Sequence, residues 1–370
     1  MKHILFVDDE SNVLDGIRVL LRKHRHAWAM EFALGGERAL EVLAARSFDV
    51  VVTDLRMPRI DGVTLLKHLL DHHPQTMRIV LSGDAERASA LAVVPYAHQS
   101  LTKPCHLTEL ESMLARACLL GELVADAEVR SVIGRVGELP SLPRTYARLL
   151  QVLDEERSSA ADLAAVIASD IAVTAKTLQI ANSTLFGAGR STTTVLEAIR
   201  LLGVETLKSV TLSTALFDAS KLPAGARRFA EDLQCHSALI AELASGLAEA
   251  DVRRDAFAAG ILHDVGRLVL LPTIPEEATE ASGQRHAKVG AYLLGLWGLP
   301  LPVVDAVARH HDDPAGSPSL LARAIEFSEK AIDDVTSSMR PTTAEVAEIR
   351  RVFLERSHLF RQQESTERAS

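Results

Sequence analysis

The first third of the chain alternates short apolar runs with longer stretches whose apolar positions recur at i, i+3 and i+4. The runs are ILFV, WAMEFAL, DVVVT, MRIVL and HQSLT, the last ending at Thr102. Short β-branched runs read as strands buried on both faces, and the intervening periodicity reads as helix. Five strand-helix units in succession predict a parallel sheet with helices on both sides. After Gly121 the strand signals stop. The pattern then predicts short helices over Thr145–Asp154, Ala160–Ile167, Ile171–Ala181 and Thr194–Leu202, with others following up to Phe360. A helical continuation from His106 through Val136 is expected to join the two halves, ending at the turn-rich ELPSLP.

The fold expected is therefore multidomain: an α/β doubly wound five-stranded parallel sheet of flavodoxin-like order, followed by an all-α domain. The boundaries read from the pattern are 1–121 for the α/β domain, 122–138 for a helical linker, 139–335 for the helical domain and 336–370 for a C-terminal helix and polar tail. The tail RQQESTERAS is too polar to pack and is expected to fray.

Composition narrows the function classes. With 370 residues, 47% of them hydrophobic, the chain can close more than one core. A net charge of -9 without a basic stripe argues against direct nucleic-acid binding. Cys105, Cys118 and Cys235 lack C-x-x-C spacing, as suits reduced thiols. No run approaches the roughly 18 apolar residues of a membrane helix. A cytoplasmic location is the expectation.

In a doubly wound sheet the site lies beyond the carboxyl ends of the strands. There the sequence places Asp8 and Asp9 after the first run and Asp54 after the third. Three carboxylates together repel unless a cation sits among them, and hard oxygen ligands suit Mg²⁺. Asp54, in the middle, can attack phosphorus as a nucleophile. Ser82 adds a hydroxyl and Lys103 a cation. A single acid at a strand end is more often a cap or solubiliser, but five residues agreeing at four strand ends are not explained that way.

The motifs VDDE, TDLRMPRIDG, LSGD and LTKP, in this order, resemble the receiver domains of bacterial two-component response regulators. The resemblance implies that Asp54 is the phosphoacceptor and that Asp8, Asp9 and Asp54, with the Arg56 backbone carbonyl, hold Mg²⁺. It also implies that Ser82 and Lys103 bind the phosphoryl group and that a sensor histidine kinase is the donor. Ser100 and Cys105 stand where an aromatic is usual, which puts the family's aromatic switch in doubt, with Tyr96 the candidate substitute.

From Leu139 to Ile332 the stretches LPSLPRTYARLLQVL, IASDIAVTAKTLQIANSTLFG and VLEAIRLLGVETLKSV resemble the HDOD domain, an all-helical relative of the HD phosphohydrolases. Asp170, Asn182-Ser183 and Leu202-Gly203 carry the likeness, with Ile171 where proline is usual. The preferred reading it implies is an output that works as a protein-interaction or regulatory scaffold for an unidentified partner, with homodimerisation on phosphorylation expected. The alternative is a metal-dependent phosphodiesterase. His236, His263, Asp264, His286, His310, His311 and Glu329 are spaced as in HD-type metal sites and would suit a transition metal. Against the alternative, Arg267 replaces the usual Lys, Glu329 replaces the late Asp, and the Gly-Tyr-Pro signature of cyclic di-GMP hydrolysing relatives is absent.

Overall fold

The computed structural model describes residues 1–83, 93, 95–103, 107–123, 127–136, 139, 143–154, 159–183, 191–204, 206–207, 226–272, 275–279, 284–312 and 319–369. The chain divides into two compact units. The first comprises Met1–Glu138, Gln179–Ser191 and Tyr292–Leu299, and the second comprises Leu139–Leu178, Thr192–Ala291 and Pro300–Ser370.

Five strands build the first unit: β1 (Lys2–Asp8), β2 (Trp28–Leu34), β3 (Val50–Asp54), β4 (Met77–Gly83) and β5 (Gln99–Lys103). All pairings are parallel and the spatial order is β2-β1-β3-β4-β5, the flavodoxin-like arrangement. Three helices intervene, α1 (Ser11–Leu20), α2 (Gly36–Ala45) and α3 (Gly62–His72). Side chains alternate across the sheet, so Leu5, Val7 and Val51 share one face and pack with Val42 and Leu43 of α2 and Leu65 and Leu69 of α3. Ile4, Leu5, Phe6 and Val7 are all buried, as expected for a central strand covered on both faces. Helices α4 (Leu107–Leu123) and α5 (Ala127–Gly134) follow β5. The helical continuation expected from His106 through Val136 is described as helix over Leu107–Leu123 and Ala127–Gly134, and residues 106 and 124–126 lie outside the described residues.

The described chain from Leu139 onward is helical. It begins with α6 (Pro143–Asp154), α7 (Ala160–Ala168), α8 (Ile171–Asn182) and α9 (Val195–Leu202). Leu149, Val152, Leu163, Ile167, Val173, Val195 and Ile199 interlock these four into one cluster. Ser159 caps α7 in a reciprocal capping box with Asp162, and Thr194 caps α9 by accepting from the Glu197 N–H. The later helices are α10 (Ala226–Leu247), α11 (Arg253–Leu262), α12 (Val265–Leu270), α13 (Pro275–Thr279), α14 (Arg285–Leu296), α15 (Leu301–Arg309), α16 (Leu320–Asp333) and α17 (Thr343–Ala369). Ile349 and Phe353 of α17 are buried, and Phe353 meets Phe327 edge to face. The tail expected to fray continues this helix to Ala369. Its Arg, Gln, Glu and Ala residues are good helix formers, and polarity there rules out a core without ruling out a helix. Among the described residues, no helix is long and apolar enough to cross a membrane.

Two candidate sites, one at the sheet edge and one in the helical unit

The sheet topology gathers the first site. β1 and β3 are neighbours, so Asp8 and Asp54 emerge side by side, and β5 delivers Lys103 two strands away. The Lys103 ammonium donates to Asp8 Oδ2 at 2.7 Å and also pairs with Asp54 Oδ1. One cation therefore bridges two carboxylates. Asp54 Oδ2 accepts from the Arg56 N–H at 2.8 Å, and Asp8 Oδ1 accepts from the Glu10 N–H at 2.9 Å. Asp9 is exposed beside Asp8, and Ser82 is fully buried at the end of β4. Burial raises the Asp54 carboxyl above its ordinary value, against the lowering pull of Lys103 and Arg56, and Asp8 adds to the rise. Burial pulls the Lys103 ammonium down, but its two carboxylate partners prevail and raise it. All six residues named from sequence are at this edge.

The second site draws on six helices. His236 lies in α10, His263 and Asp264 form the junction of α11 with α12, His286 is in α14, His310 and His311 follow α15, and Glu329 is in α16. The chain can bend this closely because Gly266 of α12 lies against the backbone of α14. A Cβ there would fall inside the His286 carbonyl oxygen.

The nitrogens converge. His286 Nε2 lies 3.1 Å from His311 Nε2, 3.4 Å from His310 Nε2 and 3.0 Å from Asp264 Oδ1. His263 Nε2 faces Asp264 Oδ2 at 3.5 Å and Glu329 Oε1 at 3.6 Å. Two backbone carbonyls fix the tautomers. His263 Nδ1 donates to Gly260 O at 2.7 Å and His310 Nδ1 donates to Val307 O at 2.8 Å. A carbonyl only accepts, so each Nδ1 carries the proton and each Nε2 presents a lone pair inward. His263, Asp264, His286 and His310 are at most 2% exposed, while His236, His311 and Glu329 are half-buried.

Electrostatics keeps these lone pairs free. Burial depresses His236, takes His263 and His311 down to about 4, and holds His310 well below the usual range, so all four are neutral at pH 7. Burial alone would raise Asp264, but His263, Arg267 and a hydrogen bond from His286 keep it well below the carboxylate range. Glu329 is pushed well above its ordinary value by burial and by Asp264 and Asp333. Arg267 holds Asp264 Oδ1 through Nε at 2.8 Å and reaches Ala278 O through a second nitrogen at 3.0 Å.

The donor set fits a metal. Bonds of about 2.0–2.1 Å from imidazole to a transition metal put neighbouring ligand nitrogens roughly 3.0–3.4 Å apart, the spacing of the His286, His310 and His311 set. His263 Nε2 and His286 Nδ1 are buried without a hydrogen-bond partner, a costly state for polar atoms unless something else meets them. Three overlapping groups have ligand atoms within 4.8 Å of one another: His286, His310 and His311; His236, His263 and Glu329; and His263, Asp264 and His310. The seven residues named from sequence are thus brought together. The carbonyls of Gly260 and Val307, which set the tautomers, were not legible in sequence. Each is three residues before its histidine, a spacing any helix supplies.

Comparison with known proteins agrees with both halves. Residues 4–115 match the response regulator receiver domain, and residues 139–313 match the HDOD domain. The chain is a response regulator of the two-component type, built from a receiver and an HDOD domain. A transcriptional regulatory protein of Bacillus subtilis, YesN, is 30% identical over 164 residues, covering 44% of this chain and 40% of that one. The chain spans about two-fifths of the length of the curated relatives it matches first. Among solved structures, the MmoQ response regulator of Methylococcus capsulatus is 26% identical over 58% of this chain and 98% of that one, with a TM-score of 0.46. The receiver domain of an HD domain-containing protein from Pseudomonas fluorescens is 30% identical over 32% of this chain and 94% of that one, with a TM-score of 0.30.

Proposed function

We propose that the receiver accepts a phosphoryl group on Asp54 from a sensor histidine kinase and thereby controls a metal-dependent phosphohydrolase centre in the helical domain. The observation that carries the second half is the set of inward-facing imidazole lone pairs around Asp264. The tautomers of His263 and His310 are fixed by backbone carbonyls, and the buried His263 Nε2 and His286 Nδ1 have no hydrogen-bond partner. Asp8, Asp9, Asp54 and the Arg56 carbonyl would hold Mg²⁺, the cation receivers generally use. Its charge would take up the repulsion that Lys103 now balances. Asp54 Oδ1 then serves as nucleophile, with Ser82 and Lys103 placed to receive the phosphoryl oxygens.

In the helical domain His236, His263, Asp264, His286, His310, His311 and Glu329 would hold one or two ions such as Zn²⁺, Mn²⁺ or Fe²⁺. Such an ion, when bound, activates water and polarises a phosphate ester. The chain's own part is to keep His236, His263, His310 and His311 neutral, to hold Asp264 ionised, and to fix that carboxylate with Arg267. Glu329, whose carboxyl is pushed well above its ordinary value, would serve such an ion as a carboxylate ligand after giving up its proton. The substrate class is a phosphodiester or related phosphate ester, and a cytoplasmic setting without membrane or nucleic-acid contact fits the composition.

A scaffold output is the second reading, favoured by Arg267. Its guanidinium is engaged by Asp264 and the Ala278 carbonyl, and so is committed to the protein rather than offered to a substrate phosphate.

One experiment separates the two. Protein purified without chelator or nickel is assayed for bound metal and for hydrolysis of cyclic dinucleotides and generic phosphodiesters, before and after acetyl phosphate treatment. Stoichiometric metal with turnover that changes on phosphorylation, both lost in His263→Ala, supports the enzyme. Metal-free, inactive protein returns the output to a scaffold.

A further inference from the structure

Arg78 is the second residue of β4 and is 2% exposed, an unusual place for a cation. Its side-chain hydrogen bonds go to backbone carbonyls, and one terminal nitrogen also lies 3.0 Å from His98 Nε2. Nε donates to Tyr96 O at 2.5 Å, one terminal nitrogen donates to Gly134 O at 2.6 Å, and the other reaches Pro74 O and Thr76 O at 3.4 Å each. The Arg78 backbone N–H donates to His98 Nδ1 at 3.0 Å. Burial lowers the guanidinium to about 10, so it stays charged at neutral pH.

Gly134 is the last residue of α5, and its carbonyl is one of the four that a helix C-terminus leaves without an internal partner. A buried cation there satisfies the carbonyl and opposes the negative end of the helix dipole. A second observation is independent of the arginine. Gly134 presses so closely on Pro74 that a Cβ would overlap the Pro74 carbonyl oxygen. The helix end is thus fitted to the turn before β4 and tied to it by charge.

The position on the sheet gives this tie a role. Ser82 and Lys103 sit at the carboxyl ends of β4 and β5, while Arg78 and His98 sit at their amino ends. The phosphoryl-sensing pair and the clamp share two hydrogen-bonded strands.

We propose that Arg78 is a positioning residue that fastens the end of α5 to the receiver, and that this fastening passes the state of Asp54 to the chain beyond residue 134. The coupling half rests on Asp54 being the acceptor. It also offers a route that does not need an aromatic at position 100.

The test is hydrogen exchange on the full chain with Mg²⁺, with and without beryllofluoride as a phosphoryl mimic, comparing wild type with Arg78→Met. In wild type, peptides spanning Asp54 and Lys103 and those spanning residues 127–136 are expected to change together. In Arg78→Met the first two still respond, while 127–136 exchanges about ten-fold faster or more and no longer responds. Unchanged protection of 127–136 in the variant overturns the fastening. A wild-type response at Asp54 and Lys103 with silence at 127–136 overturns the coupling alone. Silence at both overturns the Asp54 reading and the coupling with it. If Arg78→Met does not fold, Gly134→Val moves the helix end without touching the strand. It should show the same loss at 127–136 with the Asp54 response kept, and wild-type behaviour in it overturns the proposal.

Discussion

The two candidate sites solve the problem of crowded ligands in opposite ways. At the sheet edge the groups are carboxylates, and Lys103 sits between Asp8 and Asp54, so the site carries its own balancing cation. In the helical unit the groups are mostly imidazoles made neutral by burial, and Arg267 meets the ligand set at Asp264. The first arrangement is charged and internally compensated. The second sets neutral imidazoles around one ionised carboxylate, Asp264. A cation entering the first must displace or share with Lys103, whereas one entering the second meets the unprotonated Nε2 atoms of His263 and His310.

The largest effect expected from this difference is on metal retention. Asp264→Ala removes the carboxylate between the two histidine sets and should weaken metal binding by more than the roughly 10–100-fold that loss of an outer-shell partner costs. Metal analysis after dialysis should find the variant empty where wild type is loaded. If Asp264→Ala keeps its metal, the ion sits elsewhere and the contrast between the sites fails.

At the sheet edge the corresponding change is Lys103→Met, which leaves two adjacent carboxylates uncompensated. Mg²⁺ should then stabilise the variant more than it stabilises wild type. A ligand at a hundred times its Kd contributes about 2.7 kcal/mol, and thermal melts across a Mg²⁺ titration would show the larger rise in the variant. Equal rises in both proteins would mean that Lys103 does not occupy the cation's place.

How much of this the sequence revealed follows from chain geometry. Asp8, Asp54, Ser82 and Lys103 each directly end an apolar run, so strand period and parallel topology fix where they go. The order β2-β1-β3-β4-β5 follows from the same pattern. The helical ligands could be nominated only by resemblance, because spacing along a helix says which face a residue is on and not which helix it meets. Arg78 gave a faint signal, one cation in the apolar run MRIVL. What it binds is set by Gly134, 56 residues away, and the sequence offers no local cue for that pairing. The tail from Arg361 continues the last helix to Ala369, which its polarity did not announce, because polar residues that exclude a core can still favour helix.

Acidity should separate the two sites by sign. His263 and His311 have folded values of about 4 against an unfolded value near 6.5. Between those limits the unfolded chain binds more protons, so the stability these groups contribute is full above about pH 6.5 and is lost as pH falls toward 4. Asp54 runs the other way. Its folded value is raised, so its contribution is present below the unfolded value and is lost as pH rises through the folded one. Metal-free melts should therefore show a fall in Tm between pH 6.5 and 4 that His311→Gln flattens. Asp54→Asn should instead raise Tm at neutral pH. A His311→Gln protein with an unchanged acid slope would show that the helical histidines are not held neutral by burial.

The smallest effect belongs to the loop that carries Asp54 into α3. Asp61 caps that helix by accepting from the Thr64 N–H at 2.8 Å. Hydrogen bonds from the Thr64 hydroxyl and then its N–H hold the carboxyl below the ordinary value, so the cap is fully formed above about pH 4 and weakens as pH falls through the folded value. Asp61→Ala should cost about 0.5–2 kcal/mol in urea unfolding at pH 7. That loss should shrink on acidification, because the wild-type cap is then protonated too. The helical unit makes no contribution to this cap, so metal bound there should leave the difference between Asp61→Ala and wild type unchanged. A metal-dependent difference would show that the two sites are energetically linked even without phosphorylation.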